Sequence, residues 1–265
     1  TVTGVSIGDL FIGGVGPGIV WGLVTMVYCY IYAKRSKVPV KKRATLKELL
    51  VAIKEAGWAL GVPVIIIGGI YGGIFTPTES AVVAAIYAII ISLFVYKEMD
   101  FKDLMKESVD AAIGTAQIMV LLAAASIFSW ILTREQVPQA LANTLVSITN
   151  SRILILLMIN IILLIAGMFI DAASIQTILS PLFLPVALNY GIDPVHLGII
   201  MVVNGAIGMA TPPFGLNLFV ATGLSKKPLS TIIKGVMPFI ILSLIAMAII
   251  TYVPQITLFL VNSMK

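Results

Sequence analysis

The chain has 265 residues, of which 59% are hydrophobic and 11% are charged, and its mean hydropathy is +1.08. Soluble domains are about 25% charged, so this much apolar surface needs lipid as its solvent. The net charge of +5 comes from short clusters in loops, which suit membrane orientation and leave no broad basic face for nucleic acid. The composition predicts an integral membrane protein of the all-α class.

Few side chains in this chain are suited to catalysis or metal binding. Cys29 is the single cysteine and His196 the single histidine. A disulfide within the chain, a transition-metal site and a catalytic triad are therefore disfavoured, and we expect no enzyme activity. His196 is expected at the outer surface of the membrane.

The first half of the chain contains four apolar runs, each near the length of about 20 residues that a membrane-spanning helix needs. A basic segment and a short amphipathic helix, Thr45–Gly57, separate the first run from the second, and we expect this helix to lie on the membrane surface. A second amphipathic stretch, Phe101–Asp110, precedes the fourth run. The predicted spans are Leu10–Ala33, Trp58–Phe75, Ser80–Tyr96 and Ala111–Leu132.

The second half of the chain contains shorter apolar pieces. Ile153–Ala166 and Ile175–Leu188 flank the interruption Gly167–Ser174, and we interpret them as the arms of a re-entrant hairpin. With one hairpin here, the three basic clusters at residues 34–43, 97–106 and 226–227 all fall on one side of the membrane.

A broken helix follows the hairpin. Val195–Gly208 and Phe214–Gly223 flank the break Met209–Pro213, and one long apolar run, Ile232–Val261, ends the chain. Two broken segments in succession indicate the binding site of a secondary transporter.

An internal repeat supports this interpretation. Thr3–Ser6 is followed by Gly14–Pro17 and a long apolar run, and Thr222–Ser225 is followed by Gly235–Pro238 and another. The two copies cross the membrane in opposite directions, as in inverted-topology repeats. Because the first copy begins almost at Thr1, we expect its own hairpin and break upstream, in an N-terminal half of the same subunit.

The break at Pro212 and Pro213 predicts a cation site. Freed backbone groups survive at membrane depth only inside protein or beside a cavity. Two prolines remove two N–H donors, so the carbonyls of residues 208–211 lose partners; with the Thr211 hydroxyl they form an oxygen-only environment that suits Na⁺. The half-helix beginning near Phe214 should aim free N–H groups at an anionic substrate, with Asn217 as a polar contact.

Three acidic or hydroxyl groups allow two interpretations each. Asp171 and Ser174, at the hairpin tip, are either functional groups at membrane depth or caps of the second hairpin arm. Glu79, with Thr78, is either functional or a cap of the third span. Gly167 is expected to release its carbonyl at the tip.

Two motifs resemble those of one transporter family. Gly72–Ala81 (GGIFTPTESA) and Gly208–Phe219 (GMATPPFGLNLF) are similar to motifs of the large membrane subunit of tripartite ATP-independent periplasmic (TRAP) transporters. The resemblance implies a Na⁺-driven importer of a carboxylate, of the sialic acid or C4-dicarboxylate class, in the bacterial inner membrane. It also implies a small membrane subunit and a periplasmic substrate-binding protein as partners. The alternative is a sodium–dicarboxylate symporter that needs no binding protein.

The resemblance also implies an inverted-repeat, elevator-type mechanism and particular site residues. A sodium site would use mainly backbone oxygens, and Phe214 departs there from the Met we associate with the family, a change to which a carbonyl ligand is indifferent. The sodium site residues would be Gly167, Gly208, Thr211 and Phe214, and the substrate-proximal residues Asp171, Ser174, Gly215 and Asn217.

The elevator interpretation divides the chain into static and mobile parts. Residues 1–57 are assigned to a scaffold span with an arm helix, and residues 58–110 to further scaffold and arm spans. Residues 111–224 are assigned to the transport domain, with the hairpin at about 152–188 and the broken helix at about 195–224. Residues 225–265 are assigned to a C-terminal scaffold span.

Overall fold

The computed structural model describes residues 4–36, 44–136, 140, 143–144 and 149–264, although several side chains of the fourth helix lie outside this description. Within these ranges every regular element is a helix. The helices are α1 (Ile7–Arg35), α2 (Leu46–Tyr71), α3 (Pro77–Ile90, extended by a π-helical turn, Ile91–Tyr96), α4 (Phe101–Arg134), α5 (Arg152–Phe169), α6 (Ala172–Asn189), α7 (Pro194–Gly208), α8 (Leu216–Ser225), α9 (Leu229–Tyr252) and α10 (Gln255–Ser263).

Six of the described helices are long and apolar enough to cross a membrane: α1, α2, α3 with its π-helical turn, α5, α6 and α9. They confirm the predicted all-α membrane fold. The hairpin and the broken helix also lie where the sequence places them, although each hairpin arm has 18 residues and is longer than predicted.

Three predicted helix boundaries are wrong. The surface helix Thr45–Gly57 and the second span form one helix, α2, because an interior glycine such as Gly57 costs only about 1 kcal/mol. The amphipathic stretch before Asp110 likewise continues into the fourth span as α4. The final apolar run is two helices, since α9 ends before Pro254, which has no N–H to donate.

A tyrosine hydroxyl contacts the backbone of α2 near the predicted boundary. The N–H of Ala59 donates to the Tyr96 hydroxyl at 3.3 Å, and that hydroxyl donates to the Glu55 carbonyl at 2.7 Å. An α-helix would join Ala59 and Glu55 directly. One turn away, the Tyr87 hydroxyl donates to the Trp58 carbonyl at 3.0 Å.

The GGIFTPTES segment is a corner between α2 and α3. Gly73 has φ +65°, a conformation that favours glycine. The N–H groups of Ile74 and Phe75 both donate to the Gly69 carbonyl, each at 3.0 Å. Thr76 then begins α3 with a capping box, in which Glu79 accepts from the Thr76 N–H at 2.8 Å. The cap interpretation of Glu79 is confirmed, with Thr76 rather than Thr78 as the capping residue.

The chain forms two compact units. One contains residues 37–119, in which α2 and α3 pack together. The other contains residues 1–36 and 120–265, and in it α1, α5, α6, α9 and α10 all pack on α7. The division of the chain into static and mobile parts stays a prediction.

The helix α7 is the centre of the second of these units. Eleven of its fifteen residues are buried, as expected of a helix that is apolar on most sides, and His196 and Asn204 are the polar residues among them. The core between α5, α6 and α7 contains Ile155, Leu156, Ile159, Leu163, Ile175, Phe183, Val186, Ala187, Ile192, Leu197, Ile200 and Met201.

The two repeat copies have matching positions in this unit. Both α1 and α9 pack on α7, and each carries a proline near its third turn. Pro17 lies ten residues after Ile7 in α1, and Pro238 lies nine residues after Leu229 in α9. This correspondence supports the repeat.

Candidate functional site

The helices α5 and α6 form a hairpin with a two-residue tip, Ile170 and Asp171. Its open end is closed by the Tyr190 hydroxyl, which donates to the Thr149 carbonyl at 2.8 Å, so the start of one arm meets the end of the other. The tip lies within the predicted interruption, Gly167–Ser174.

Asp171 is the N-cap of α6. Its Oδ1 accepts from the N–H groups of Ala173 and Ser174, each at 3.0 Å, and its Oδ2 accepts from the Ser174 hydroxyl. Ser174 is buried beneath this cap. The cap interpretation is therefore confirmed for Asp171, whereas the Ser174 hydroxyl bonds to the capping carboxylate and caps no N–H itself; proximity of either side chain to substrate stays a prediction.

The break between α7 and α8 is a compact turn that reuses most of the backbone groups the prolines release. Thr211 N–H donates to the Gly208 carbonyl at 2.8 Å, and Gly215 N–H donates to the Thr211 carbonyl at 3.1 Å. Asn217 N–H reaches back to the Met209 carbonyl at 2.9 Å. Each carbonyl oxygen has two lone pairs, so these bonds leave one on each oxygen for a cation.

The helix N-terminus after the break is less open than the sequence predicts. The helix α8 begins at Leu216, two residues later than the predicted start at Phe214. The N–H groups of Gly215, Asn217 and Leu218 are all used inside the turn. The expectation of several free N–H groups for an anion is therefore wrong, because the turn after the prolines folds back on itself.

Gly167 and Gly208 bring the hairpin and the break into direct backbone contact. A Cβ placed on Gly208 would lie 2.5 Å from Cα and 2.6 Å from the carbonyl carbon of Gly167. A Cβ on Gly167 would lie 2.9 Å from the Gly208 Cα. Since real Cβ atoms do not approach backbone so closely, glycine is required at both positions. Gly205 also lies close to the start of α6, where a Cβ on it would lie 2.9 Å from the Ala172 Cβ.

Thr211 and Phe214 complete the group that the sequence predicts to bind sodium. The buried Thr211 hydroxyl donates to the Ile207 carbonyl at 2.7 Å, which turns its own lone pairs away from that bond and leaves them for a cation. The exposed Phe214 ring contacts the Phe169 ring of the hairpin tip, with 5.3 Å between centroids. Gly167, Gly208 and Phe214 thus belong to the hairpin–break contact, while the hydrogen bonds of Thr211 stay within α7 and the turn.

The two remaining predicted residues are part of the turn itself. A Cβ on Gly215 would lie 2.7 Å from the Met209 carbonyl oxygen and 2.8 Å from that of Thr211, so this position also requires glycine. Asn217 is exposed, and its contribution to the turn is its backbone N–H. A role of its side chain in substrate binding stays a prediction.

A cavity of about 190 Å³ lies between α6, α7 and the start of α1, and none of the predicted site residues is among the residues that line it. One wall carries the amide of Gln176 and the hydroxyls of Thr177 and Ser180; the other is apolar, with Leu10, Leu197 and Met201 among its residues. This cavity is neutral, so it offers a polar solute hydrogen bonds but no charge.

Sequence reasoning missed a buried polar cluster next to the site. The Asn204 amide donates to Asn160 Oδ1 at 2.6 Å, and the Thr251 hydroxyl donates to the same oxygen at 3.4 Å. His196 is wholly buried and contacts the Thr251 carbonyl at 3.1 Å and the Thr257 hydroxyl at 3.3 Å, so it is not an exposed residue, and its expected place on the outer side of the membrane stays a prediction. Two asparagines inside apolar runs were the available signal.

Comparison with known proteins identifies one family. The model described as "Tripartite ATP-independent periplasmic transporter, DctM component" matches residues 1–256. The C4-dicarboxylate TRAP transporter large permease of Pseudomonas aeruginosa is 45% identical over 98% of this chain and 61% of that protein. The isethionate TRAP transporter permease of Oleidesulfovibrio alaskensis is 48% identical over 96% of this chain and 40% of that protein.

A sialic acid TRAP transporter large permease of Vibrio cholerae is also similar, at 37% identity over 98% of this chain and 61% of that protein. The chain therefore spans 61% or less of the length of these three relatives, and it matches their C-terminal part.

Proposed function

Since this chain belongs to the DctM-component family of tripartite ATP-independent periplasmic transporters, we propose that it carries a sodium site of a Na⁺-coupled importer of small organic anions. The single observation that carries the proposal is the backbone contact between Gly167 and Gly208. It places the end of a hairpin arm against the end of a broken helix with no side chain between them, and the Gly167 carbonyl oxygen lies only 3.0 Å from the position of a Cβ on Gly208.

The chemistry of this contact favours a hard monovalent cation. The available donors are carbonyl oxygens and the Thr211 hydroxyl, and such neutral oxygen ligands suit hard cations rather than transition metals. Within the described residues no group of three His, Cys, Asp or Glu side chains is placed to hold a metal ion. The ligands we assign to Na⁺ are oxygens of Gly167, Gly208, Thr211 and Phe214.

The substrate that we propose for this importer is a small organic anion. The relatives named above are described as permeases for a C4-dicarboxylate, isethionate and sialic acid at 37–48% identity. The neutral cavity beside Gln176 and Ser180 does not distinguish among them. Partners of the proposed importer are a small membrane subunit, a periplasmic binding protein and the N-terminal half of the same subunit.

Mechanistically, Na⁺ would bind first and hold the hairpin against the broken helix. That step would order the site and make an elevator motion of the loaded domain favourable in the bacterial inner membrane. Because Na⁺ binding and hairpin closure would be coupled, each would strengthen the other by the same factor.

Reconstitution tests the proposal. The whole transporter in proteoliposomes should accumulate labelled substrate when Na⁺ is higher outside and a binding protein is present, with C4-dicarboxylates, isethionate and sialic acid tried in parallel. Replacing Na⁺ by K⁺ or choline should abolish uptake. Uptake that ignores Na⁺ would overturn the proposal, and Na⁺-driven uptake without any binding protein would favour the sodium–dicarboxylate symporter.

A further inference from the structure

The buried amides of Asn160 in α5 and Asn204 in α7 form a pair that the proposed sodium site does not include. Asn160 is 4% exposed and Asn204 0%. Asn204 Nδ2 donates to Asn160 Oδ1 at 2.6 Å, so the bond joins the first hairpin arm directly to the broken helix.

The orientation of both amides follows from their surroundings. Asn160 Nδ2 donates to the Leu156 carbonyl at 2.7 Å, and Asn204 Nδ2 also donates to the Ile200 carbonyl at 2.8 Å. Turning either amide over would point an oxygen at a carbonyl oxygen. These two carbonyls therefore fix the amides as they stand.

This orientation leaves one polar atom unsatisfied. Asn204 Oδ1 is buried and, among the described residues, accepts no hydrogen bond. A buried acceptor without a donor destabilises the fold, whereas two apolar side chains of similar shape are neutral or stabilising in such a place. Stability alone therefore does not account for two asparagines here.

The pair lies on the same faces of α5 and α7 as the glycine contact. Gly167 follows Asn160 by seven residues, or two turns of α5, and Gly208 follows Asn204 by four residues, about one turn of α7. The Asn204 carbonyl oxygen lies 3.4 Å from the position of a Cβ on Gly167. The amide bond and the glycine contact are thus two successive contacts along one helix pair.

Directional bonds and apolar contacts affect helix register differently. Apolar side chains accept small slips along a helix pair, while a buried asparagine bond holds one register at a cost in stability. Here the register of α5 against α7 decides whether the backbones of Gly167 and Gly208 stay in contact. The Thr251 hydroxyl also donates to Asn160 Oδ1, at 3.4 Å, so the same oxygen connects α9 to this helix pair.

We propose that Asn160 and Asn204 are positioning residues for the sodium site, which hold α5 and α7 in the register where their carbonyl oxygens converge. The inference rests on the proposed function. The amides do not bind the ion themselves, because an asparagine on a helix projects toward the helix N-terminus and so away from Gly208.

The test uses the whole reconstituted transporter with the double variant Asn160→Leu plus Asn204→Leu. We expect little change in the unfolding temperature, because removal of the unsatisfied Asn204 oxygen offsets the acceptor that the Thr251 hydroxyl loses at Asn160. We also expect the Na⁺ concentration for half-maximal uptake to rise roughly 10–100-fold, as when supporting partners of metal ligands are lost. Uptake at saturating Na⁺ should stay near that of the wild type.

Thr257→Val is the matched control. It removes a buried hydroxyl of the same helix bundle, the one that contacts His196 Nδ1 at 3.3 Å, without touching the amide pair. Its half-saturating Na⁺ concentration should equal that of the wild type. If Thr257→Val raises the half-saturating Na⁺ concentration as much as the double variant does, the proposal is overturned, because removal of any buried polar group would then have the same effect.

The outcomes separate this inference from the proposed function. Wild-type uptake that ignores Na⁺ overturns both. Na⁺-dependent wild-type uptake with an unchanged half-saturating concentration in the double variant overturns the inference alone. If the double variant does not fold, Asn160→Ser takes its place, because the serine hydroxyl is too short to reach Asn204 Nδ2. A raised half-saturating Na⁺ concentration in Asn160→Ser supports the inference, and an unchanged one overturns it.

Discussion

The residues at the hairpin–break contact are constrained by space before they are constrained by chemistry. A methyl group at residue 208 would overlap the Gly167 backbone at 2.5–2.6 Å. The obstacle is main chain, which cannot rotate away as a side chain does. The contact is therefore sensitive to the smallest enlargement of either glycine.

We predict that Gly208→Ala moves the hairpin off the broken helix and weakens Na⁺-dependent uptake. Overpacking of this kind costs about 1–3 kcal/mol, which corresponds to about a 5–150-fold loss of ion affinity if it acts on the bound state. Gly223→Ala in α8 is the control, since a Cβ there meets no atom within 4 Å. Initial uptake rates against Na⁺ concentration measure both; a normal Gly208→Ala curve would refute the role of this contact.

Asp171 leads to a second prediction at this scale. Asp171→Ala removes an N-cap with three hydrogen bonds and should lower the free energy of unfolding by about 0.5–2 kcal/mol. Asp171→Ser keeps a capping oxygen and should recover most of that loss.

Thermal unfolding of the purified subunit, together with the Na⁺ dependence of uptake, measures both Asp171 variants. We expect an unchanged Na⁺ dependence in Asp171→Ser. A serine variant that is stable but no longer responds to Na⁺ would instead identify the carboxylate as an ion ligand.

At the scale of elements, α2 shows how a tertiary contact adds to the hydrogen bonding of a helix. The Tyr96 hydroxyl bonds to both the Ala59 N–H and the Glu55 carbonyl, one turn apart in α2. The turn at residues 55–59 is thus stabilised by a group from the end of the π-helical turn, and its stability depends on α3 staying in place.

We predict that Tyr96→Phe increases amide hydrogen exchange at Ala59, because its N–H loses the Tyr96 hydroxyl as an acceptor. The expected change in local opening free energy is about 1 kcal/mol, the usual net value of one hydrogen bond. Tyr87→Phe is the control, since that hydroxyl only donates, to the Trp58 carbonyl, and no N–H depends on it. Equal protection of Ala59 in wild type and Tyr96→Phe would contradict the prediction.

The sequence predicted elements well where local chemistry decides them. Pro212 and Pro213 end α7 because they lack donors, and the interruption at Asp171 separates the arms because that residue caps the next helix. The prediction failed where tertiary contacts decide. No local pattern indicates that the Tyr96 hydroxyl supports the turn where α2 continues past Gly57.

The same limit applies to the site. The residues of the hairpin tip and the break could be named from composition and spacing, because broken helices at membrane depth are informative by themselves. The Asn160–Asn204 bond could not, since it joins positions 44 residues apart and depends on how two helices face each other. The turn that uses the N–H groups of Gly215 and Asn217 could not be predicted from the sequence either.

At the scale of the whole molecule, Na⁺ should act as a stabilising ligand of the folded transporter. An ion that binds only the native state adds about 2.7 kcal/mol of stability at 100 times its dissociation constant. We predict that Na⁺ raises the unfolding temperature of the purified transporter above that in equal concentrations of K⁺ or choline.

The comparison at equal ionic strength controls for screening of surface charges. In Gly208→Ala the sodium-specific rise in unfolding temperature should be smaller than in the wild type. In Gly223→Ala it should equal that of the wild type. An identical unfolding temperature in all three salts for the wild type would argue against a sodium site.

The contact between Gly167 and Gly208 also limits how this site can evolve. The two residues share one space, so a mutation that enlarges either one is opposed by the other, and neither can change first without loss. A single substitution at either glycine is therefore expected to reduce function. Diversity among descendants should accumulate instead at positions such as Phe214, whose side chain is exposed and whose proposed contribution is a main-chain oxygen that any amino acid supplies.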